Sequence, residues 1–363
     1  MTDGHDHPGR MRRLREEMRG AGVDVTLLSV GSDLRYVSGY AAHSTERLTM
    51  LVIPHEGDAS LIVPELEAMR AEPVAGITVR PWGELEDPLD LVAAELDGAS
   101  TAAFGDHAWA RFLMGLQART NVRFVPASPL VGRLRLHKSP AEVALLRRAA
   151  EAADRVAFRL AGMRFSGRRE RELSAWIAAA LMEEGCDHAE FAIVASGPNA
   201  ASPHHDAGER VMQSGDTVVC DFGGSVDGYF SDTTRTFSVG SPSAEVAEAH
   251  AVLMAAQQKG VDTVGPGVAC ENVDGETRAV IAGAGLGEWF IHRTGHGIGM
   301  DVHEDPYLVE GNKAPLAPGM AFSVEPGIYM PGKWGMRIED IVVCTEAGGE
   351  RLNTSSRELV EVG

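Results

Sequence analysis

Cysteine is scarce in this chain: four in 363 residues, at positions 186, 220, 270 and 344, with no Cys-x-x-Cys pair. That scatter argues against a disulfide framework or a zinc knuckle and leaves reduced, mostly buried thiols as the expectation. Basic charge is also short. Against 52 Asp and Glu there are 33 Lys and Arg, a formal net charge of −19. Nucleic acid and anionic membrane are thereby disfavoured as partners, since both require a basic face. No apolar run approaches the roughly eighteen residues of a membrane helix, and the opening residues lack the apolar core of a signal peptide. A cytoplasmic protein is expected. What remains is a globular composition, 44% apolar and 23% charged, long enough for two domains or one large one.

Apolar periodicity divides the chain. Met11, Leu14 and Met18 fall at helical spacing, with Gly20 and Gly22 as stop signals. Strands are predicted over 23–30, 48–54 and 59–64, and then helical and strand-like pieces alternate as far as 127, which predicts a small α/β domain. No catalytic constellation is visible there; His43, His55 and His107 stand alone. Lys138-Ser-Pro-Ala-Glu142 carries a capping box and a first-turn proline, marking a new start. Helices are predicted from there through Ala153 and over 170–184, 244–259 and 272–282, with strands between and after them. The expected fold class is α+β, with residues 1–133 as a smaller N-terminal α/β domain and 134–363 as a larger C-terminal domain.

Five acidic and imidazole side chains draw the eye in the second half. Asp221 and Asp232 are eleven residues apart on two strand-like segments joined near Asp227-Gly228. A tight hairpin centred between Val226 and Asp227 would set them directly opposite each other. Opposed carboxylates repel, and a cation between them would remove the repulsion. Glu325 and Glu339 flank a turn-rich segment centred on Gly332, so a second hairpin would bring them face to face. Between the hairpins lies Thr294-Gly-His-Gly-Ile-Gly299. Four carboxylates and one imidazole suffice to hold two divalent ions. His292 and His296 have the spacing of a helical zinc pair, but the surrounding glycines oppose a helix.

In order and spacing, Asp221, Asp232, His296, Glu325 and Glu339 resemble the metal ligands of the pita-bread metallopeptidases, a family that includes methionine aminopeptidase, aminopeptidase P, prolidase and the metal-free creatinase. The matching segments are Ser196-Gly-Pro-Asn199, His204, CDFGG, SDTTRTF, HRTGHGIGMDVHE, VEPGIY and RIED. Text around Tyr36 to Arg47 is similar to the creatinase-type N-terminal domain. The domain and the Arg-Ile-Glu-Asp ending resemble the aminopeptidase P and prolidase branch, without separating one from the other.

The resemblance implies hydrolysis of Xaa-Pro bonds, in dipeptides or at peptide N-termini, by a hydroxide held between two divalent ions. Manganese is expected first, with cobalt, zinc or iron compatible. Asp221 would bind one ion, Asp232 and Glu339 both, and His296 and Glu325 the other. His204 would lie near the scissile bond, His303 would steady the carbonyl oxygen, His292 would line the pocket, and Glu325 would relay a proton. Tyr329 and Arg337 would orient ligands and substrate. A homodimer acting on proline-containing peptides is expected. The competing readings are a same-fold hydrolase for a small non-peptide amide or osmolyte, and a non-enzymatic binding protein.

Overall fold

The structure, a computed structural model, describes residues 6–363. Its first compact unit ends at Arg135 and its second runs from Leu136 to Gly363.

In the first unit, helix α1 (His7–Ala21) buries Met11, Leu14 and Met18 and is closed by Gly22, whose φ of 66° lets its N–H reach Arg19 and Met18 carbonyls. Gly20 stays helical. Strand β1 (Val25–Ser29), helix α2 (Ser32–Ser38) and strands β2 (Met50–Pro54), β3 (Ala59–Pro64) and β4 (Ile77–Trp82) follow. Helix α3 (Pro88–Glu95), β5 (Thr101–Phe104), α4 (Ala110–Gln117), β6 (Arg123–Pro126) and α5 (Ser128–Leu136) complete it. The six strands form one mixed sheet in the order β4-β3-β2-β1-β5-β6, with Leu27, Met50, Ile62, Val92, Ala102 and Phe112 in its core.

The second unit opens with α6 (Pro140–Ala161), where Ser139 and Glu142 form the expected reciprocal capping box. Helix α7 (Glu170–Glu183) and strand β7 (His188–Ser196) lead to β8 (Thr217–Val226), β9 (Tyr229–Phe230) and β10 (Thr233–Val239). Helices α8 (Ala244–Thr263) and α9 (Cys270–Gly283) precede β11 (Gly295–Gly297), β12 (Glu304–Leu308) and β13 (Ala321–Val324). Strands β14 (Gly327–Met330), β15 (Trp334–Arg337), β16 (Asp340–Thr345), β17 (Gly348–Arg351) and β18 (Val360–Val362) end the chain. Two sheets result, β18-β10-β8-β7 and β12-β11-β13-β16-β17, with β14-β15 as a separate ribbon.

Side-chain alternation tells which face of each sheet meets helices. Val218, Cys220 and Phe222 of β8 share a core with Ala153 and Val156 of α6 and Leu173 and Ile177 of α7. Phe322 and Val324 of β13 and Val342 and Cys344 of β16 pack with Val261 of α8 and Val273 of α9. Each fully buried Leu, Val or Phe in these layers is worth roughly 1.5–3 kcal/mol. Because strand residues alternate, Asp221 turns away from the helices that hold Cys220. Arg235 of β10 ties the two sheets together, donating to Asp340 Oδ1 at 2.7 Å and to the Glu339 carbonyl at 2.6 Å, with both side chains buried.

The first hairpin departs from its expected register. Its turn is centred on Asp227-Gly228, with φ of 54° and 84°, as a two-residue hairpin loop with both central residues left-handed requires. Val226 therefore pairs with Tyr229, and Asp221 pairs with Thr234, not Asp232. Asp232 lies two residues back along the strand path, so the two carboxylates are diagonal neighbours on one face. The second hairpin keeps the expected pairing. Val324 opposes Asp340 and Gly327 opposes Arg337, one register that sets Glu325 against Glu339.

Candidate metal centre

Asp221 and Asp232 from the first hairpin, His296 from β11, and Glu325 and Glu339 from the second converge on one buried cluster. Ligand atoms of Asp221, Asp232 and Glu339 lie within 4.8 Å of one another, as do those of His296, Glu325 and Glu339. Two triads sharing Glu339 have the layout of two adjacent cation positions. A third group joins Asp232, His296 and His303, so His303 also comes within ligand reach of the cluster.

Whether these residues fit metal ions can be judged from their own bonding. Asp221 Oδ1 and Glu339 Oε1 are buried without any hydrogen-bond partner, a costly state for carboxylate oxygens. Burial, then the neighbouring carboxylates, push Asp232 and Glu339 well above the usual carboxyl range, and burial raises Glu325 to about 7. His296 points the same way. Burial, followed by the nearby His303, lowers its pKa to about 3, so the ring is neutral. Its Nδ1 lies 3.1 Å from the Gly297 carbonyl, which can only accept, so Nδ1 carries the hydrogen. Nε2 then presents a lone pair to Glu325 Oε1 at 3.4 Å and Asp232 Oδ2 at 3.6 Å. A lone pair facing two carboxylate oxygens is an arrangement that divalent cations would suit. Oxygen-rich donors with one imidazole suit hard or borderline divalent ions.

Surrounding donors fix the remaining oxygens. Arg337 donates to Asp221 Oδ2 at 2.5 Å and to the Tyr329 hydroxyl at 2.7 Å; that hydroxyl lies 2.9 Å from His292 Nε2. Burial, then the Arg337 charge, lower His292 to about 4, and burial raises Tyr329 to about 12. Thr234 donates to Glu339 Oε2 at 2.6 Å, and Ser323 to Glu325 Oε1 at 3.2 Å. Glycine allows the close approach here: a Cβ on Gly295 would sit 1.9 Å from the Ser323 carbonyl oxygen.

The cluster floors a cavity of 690 Å³. His204 and His303 are exposed on its sides, and Phe191, Ile193, Ile291 and Val302 supply apolar wall. All five expected ligands and all of His204, His292, His303, Tyr329 and Arg337 are thus brought to one site. Two contributors escaped the sequence reading. Thr234 is the register partner of Asp221, visible only once the turn is placed. Arg293 lines the cavity with its guanidinium 4.4 Å from the Tyr307 ring centroid, and among the described residues no carboxylate pairs with it. Its position beside His292 was in plain text, but nothing in the text showed that it lacked a partner.

Comparison with known proteins agrees with this geometry. Residues 10–137 match the creatinase/prolidase N-terminal domain, and residues 144–346 match metallopeptidase family M24. The chain is 44% identical over 348 residues to a probable dipeptidase PepE of Mycobacterium bovis, covering 94% of this chain and 93% of that one. It is 31% identical to an Xaa-Pro dipeptidase of Pyrococcus horikoshii, over 97% and 98% of the two chains. Among solved structures, a prolidase from Thermococcus sibiricus superposes with a TM-score of 0.95 at 37% identity, covering 98% and 99%. A PepE dipeptidase from Mycobacterium ulcerans gives 0.93 at 44%, covering 99% of each. With a creatinase-type N-terminal domain and a pita-bread domain that presents this cluster, the chain belongs to metallopeptidase family M24.

Proposed function

We propose that the protein is a dinuclear metallodipeptidase that cleaves Xaa-Pro dipeptides. The observation that carries the reading is the convergence of Asp221, Asp232, His296, Glu325 and Glu339 on one buried cluster, in which Asp221 Oδ1 and Glu339 Oε1 have no hydrogen-bond partner and His296 Nε2 faces Glu325 and Asp232. Relatives of the same length bear the name Xaa-Pro dipeptidase, which supports proline as the second residue. Asp221, Asp232 and Glu339 would hold one ion and His296, Glu325 and Glu339 the other, with manganese suited to the oxygen-rich set. When bound, the two ions supply Lewis acidity, polarising the scissile carbonyl and lowering the pKa of a water molecule.

The chain's own groups do the rest. Cleavage of the Xaa-Pro bond expels the proline nitrogen as an amine, which requires a proton to be delivered to it. Glu325, beside His296 in the cluster and lining the cavity, is placed to carry that proton on its carboxylate oxygen. His204 and His303 flank the carbonyl and donate hydrogen bonds to the oxygen as charge develops there. His292 is held by Tyr329 and steadied in turn by Arg337, which keeps that wall rigid. Arg293 favours dipeptides over longer peptides. A cavity-lining guanidinium without an acidic partner is matched to a free α-carboxylate, and a dipeptide presents one beside the proline ring.

Manganese-loaded protein assayed on Xaa-Pro dipeptides, Xaa-Xaa dipeptides and Xaa-Pro tripeptides tests the reading. Turnover of the first set, slower on tripeptides, is expected. No hydrolysis of any peptide would overturn it in favour of a non-peptide amide.

A further inference from the structure

His204 and His303 both project from irregular backbone, and neither ring has a hydrogen-bond partner among the described residues. Their neighbours in sequence are held firmly. His205 Nε2 lies 2.9 Å from Glu170 Oε2, and the Glu170 side chain is fully buried. The same carboxylate accepts the Ser196 N–H at 2.8 Å, the Ser196 hydroxyl at 2.7 Å, Asn199 Nδ2 at 3.1 Å and the Gly208 N–H at 3.3 Å. On the other side, Lys138 Nζ donates to Glu304 Oε1 at 2.7 Å, with side chains 2% and 10% exposed. Glu304 packs so closely over Gly299 that a Cβ there would come within 2.5 Å of Oε1.

The two arrangements share a logic. Each cavity histidine is followed at once by a residue fastened into a buried charge, and consecutive Cα atoms are fixed about 3.8 Å apart. Glu170 gathers both ends of the segment that carries His204, from Ser196 to Gly208. Lys138 stands at the start of the second unit and reaches the segment that carries His303. A buried carboxylate satisfied by this many donors has one low-energy position, and so do the chain segments that supply them. Burial opposes the Glu170 charge, and the bonds from Ser196, His205 and Asn199 outweigh it, holding the carboxyl below its usual range.

We propose that Glu170 and Lys138 are positioning residues: acting through His205 and Glu304, they set His204 and His303 on either side of the scissile carbonyl. The inference rests on the dipeptidase reading for the part the histidines play. Neither anchor touches the cation cluster or Arg293, so substrate and metal binding should survive their loss while turnover does not.

The test uses the full chain. His205→Leu removes the Glu170 contact, His205→Gln keeps an N–H at the Nε2 position, and Lys138→Met removes the other anchor. On an Xaa-Pro dipeptide, His205→Leu and Lys138→Met should each lower kcat roughly tenfold, with KM and bound manganese little changed, and His205→Gln should restore most of the loss. Hydrogen exchange on metal-free protein supplies a readout independent of turnover. Residues 199–209 should exchange faster in His205→Leu and residues 299–305 faster in Lys138→Met, with 217–226 unaltered. Unchanged kcat, or protection lost equally across 217–226, would overturn the assignment. Wild-type protein inactive on every peptide would instead sink the dipeptidase reading, and the exchange pattern would still decide the anchors.

Discussion

Glu325 and Glu339 stand opposite each other in a single hairpin register, yet neither bonds the other's backbone. The Glu325 N–H goes to the Thr294 carbonyl at 2.8 Å and the Glu339 N–H to the Thr234 carbonyl at 3.1 Å. The hairpin parts at these two residues, and each strand borrows a neighbour for one step. That parting opens room between the two carboxylates, and it ties one to the segment bearing His296 and the other to the partner strand of Asp221. Backbone bonding from both segments thus fixes where the two carboxylates stand.

Glu339→Gln should abolish Xaa-Pro hydrolysis and stabilise the metal-free protein. The substitution replaces a carboxyl whose ionisation is opposed first by burial and then by the neighbouring carboxylates. A gain of about 0.5–2 kcal/mol is expected from relieving such a site. Chemical denaturation of both chelated proteins checks the gain; a less stable variant would contradict it.

Chelation should lower the melting temperature, more at pH 8 than at pH 5.5. Glu325 is raised to about 7, and Asp232 and Glu339 well above the ordinary range. Groups whose folded pKa is raised favour the folded state below the unfolded value and lose that contribution as pH climbs through the folded one. The empty cluster is therefore least comfortable in alkaline solution, where manganese binds without displacing protons. At a hundredfold excess over Kd the ion should add about 2.7 kcal/mol. Thermal melts with and without manganese at both pH values measure the difference.

Arg293→Ala should raise KM for Xaa-Pro dipeptides by one to two orders of magnitude, leaving Xaa-Pro tripeptides less affected. Loss of a charge-assisted hydrogen bond is worth about 1.5–3 kcal/mol. Parallel kinetics on the two substrate lengths decide it, and equal losses on both would remove Arg293 from the specificity argument.

His250 predicts a second pH effect, remote from the cavity. It is buried on α8 with Nε2 unpartnered, and burial lowers its pKa from 6.5 to about 4. As pH falls from 6.5 toward 4 the unfolded chain takes up the proton first, so stability present above that window is lost within it. His250→Leu should remove up to about 3 kcal/mol of this acid dependence. Urea unfolding of both proteins between pH 7 and pH 4.5 reads the effect.

Much of the fold was legible because its signals are local. The Ser139 to Glu142 capping box, the apolar stripe of α7 and the alternating strands of the first unit each need only a few neighbouring residues. Elements without such signals escaped. Helix α2 is seven residues long, and β7 is an edge strand whose first half is largely exposed, so neither shows a clear period. The candidate ligand side chains could be named because ligand chemistry restricts residue type, and the structure brings them to one cluster. Their pairing could not be read in full, because a one-residue difference in turn placement moved the partner of Asp221 from Asp232 to Thr234. Arg293, Glu170 and Lys138 were invisible for another reason: a missing or buried partner is a fact of three dimensions.

The register of β8 also decides which donor atom faces the candidate metal centre. Cys220, fully buried among the helices, precedes Asp221. A slip of one residue would exchange their faces and aim sulfur where oxygen now points. A thiolate there would draw zinc or cuprous copper in place of harder ions. Strand pairing in this protein thus keeps sulfur turned away from the candidate centre and oxygen turned toward it.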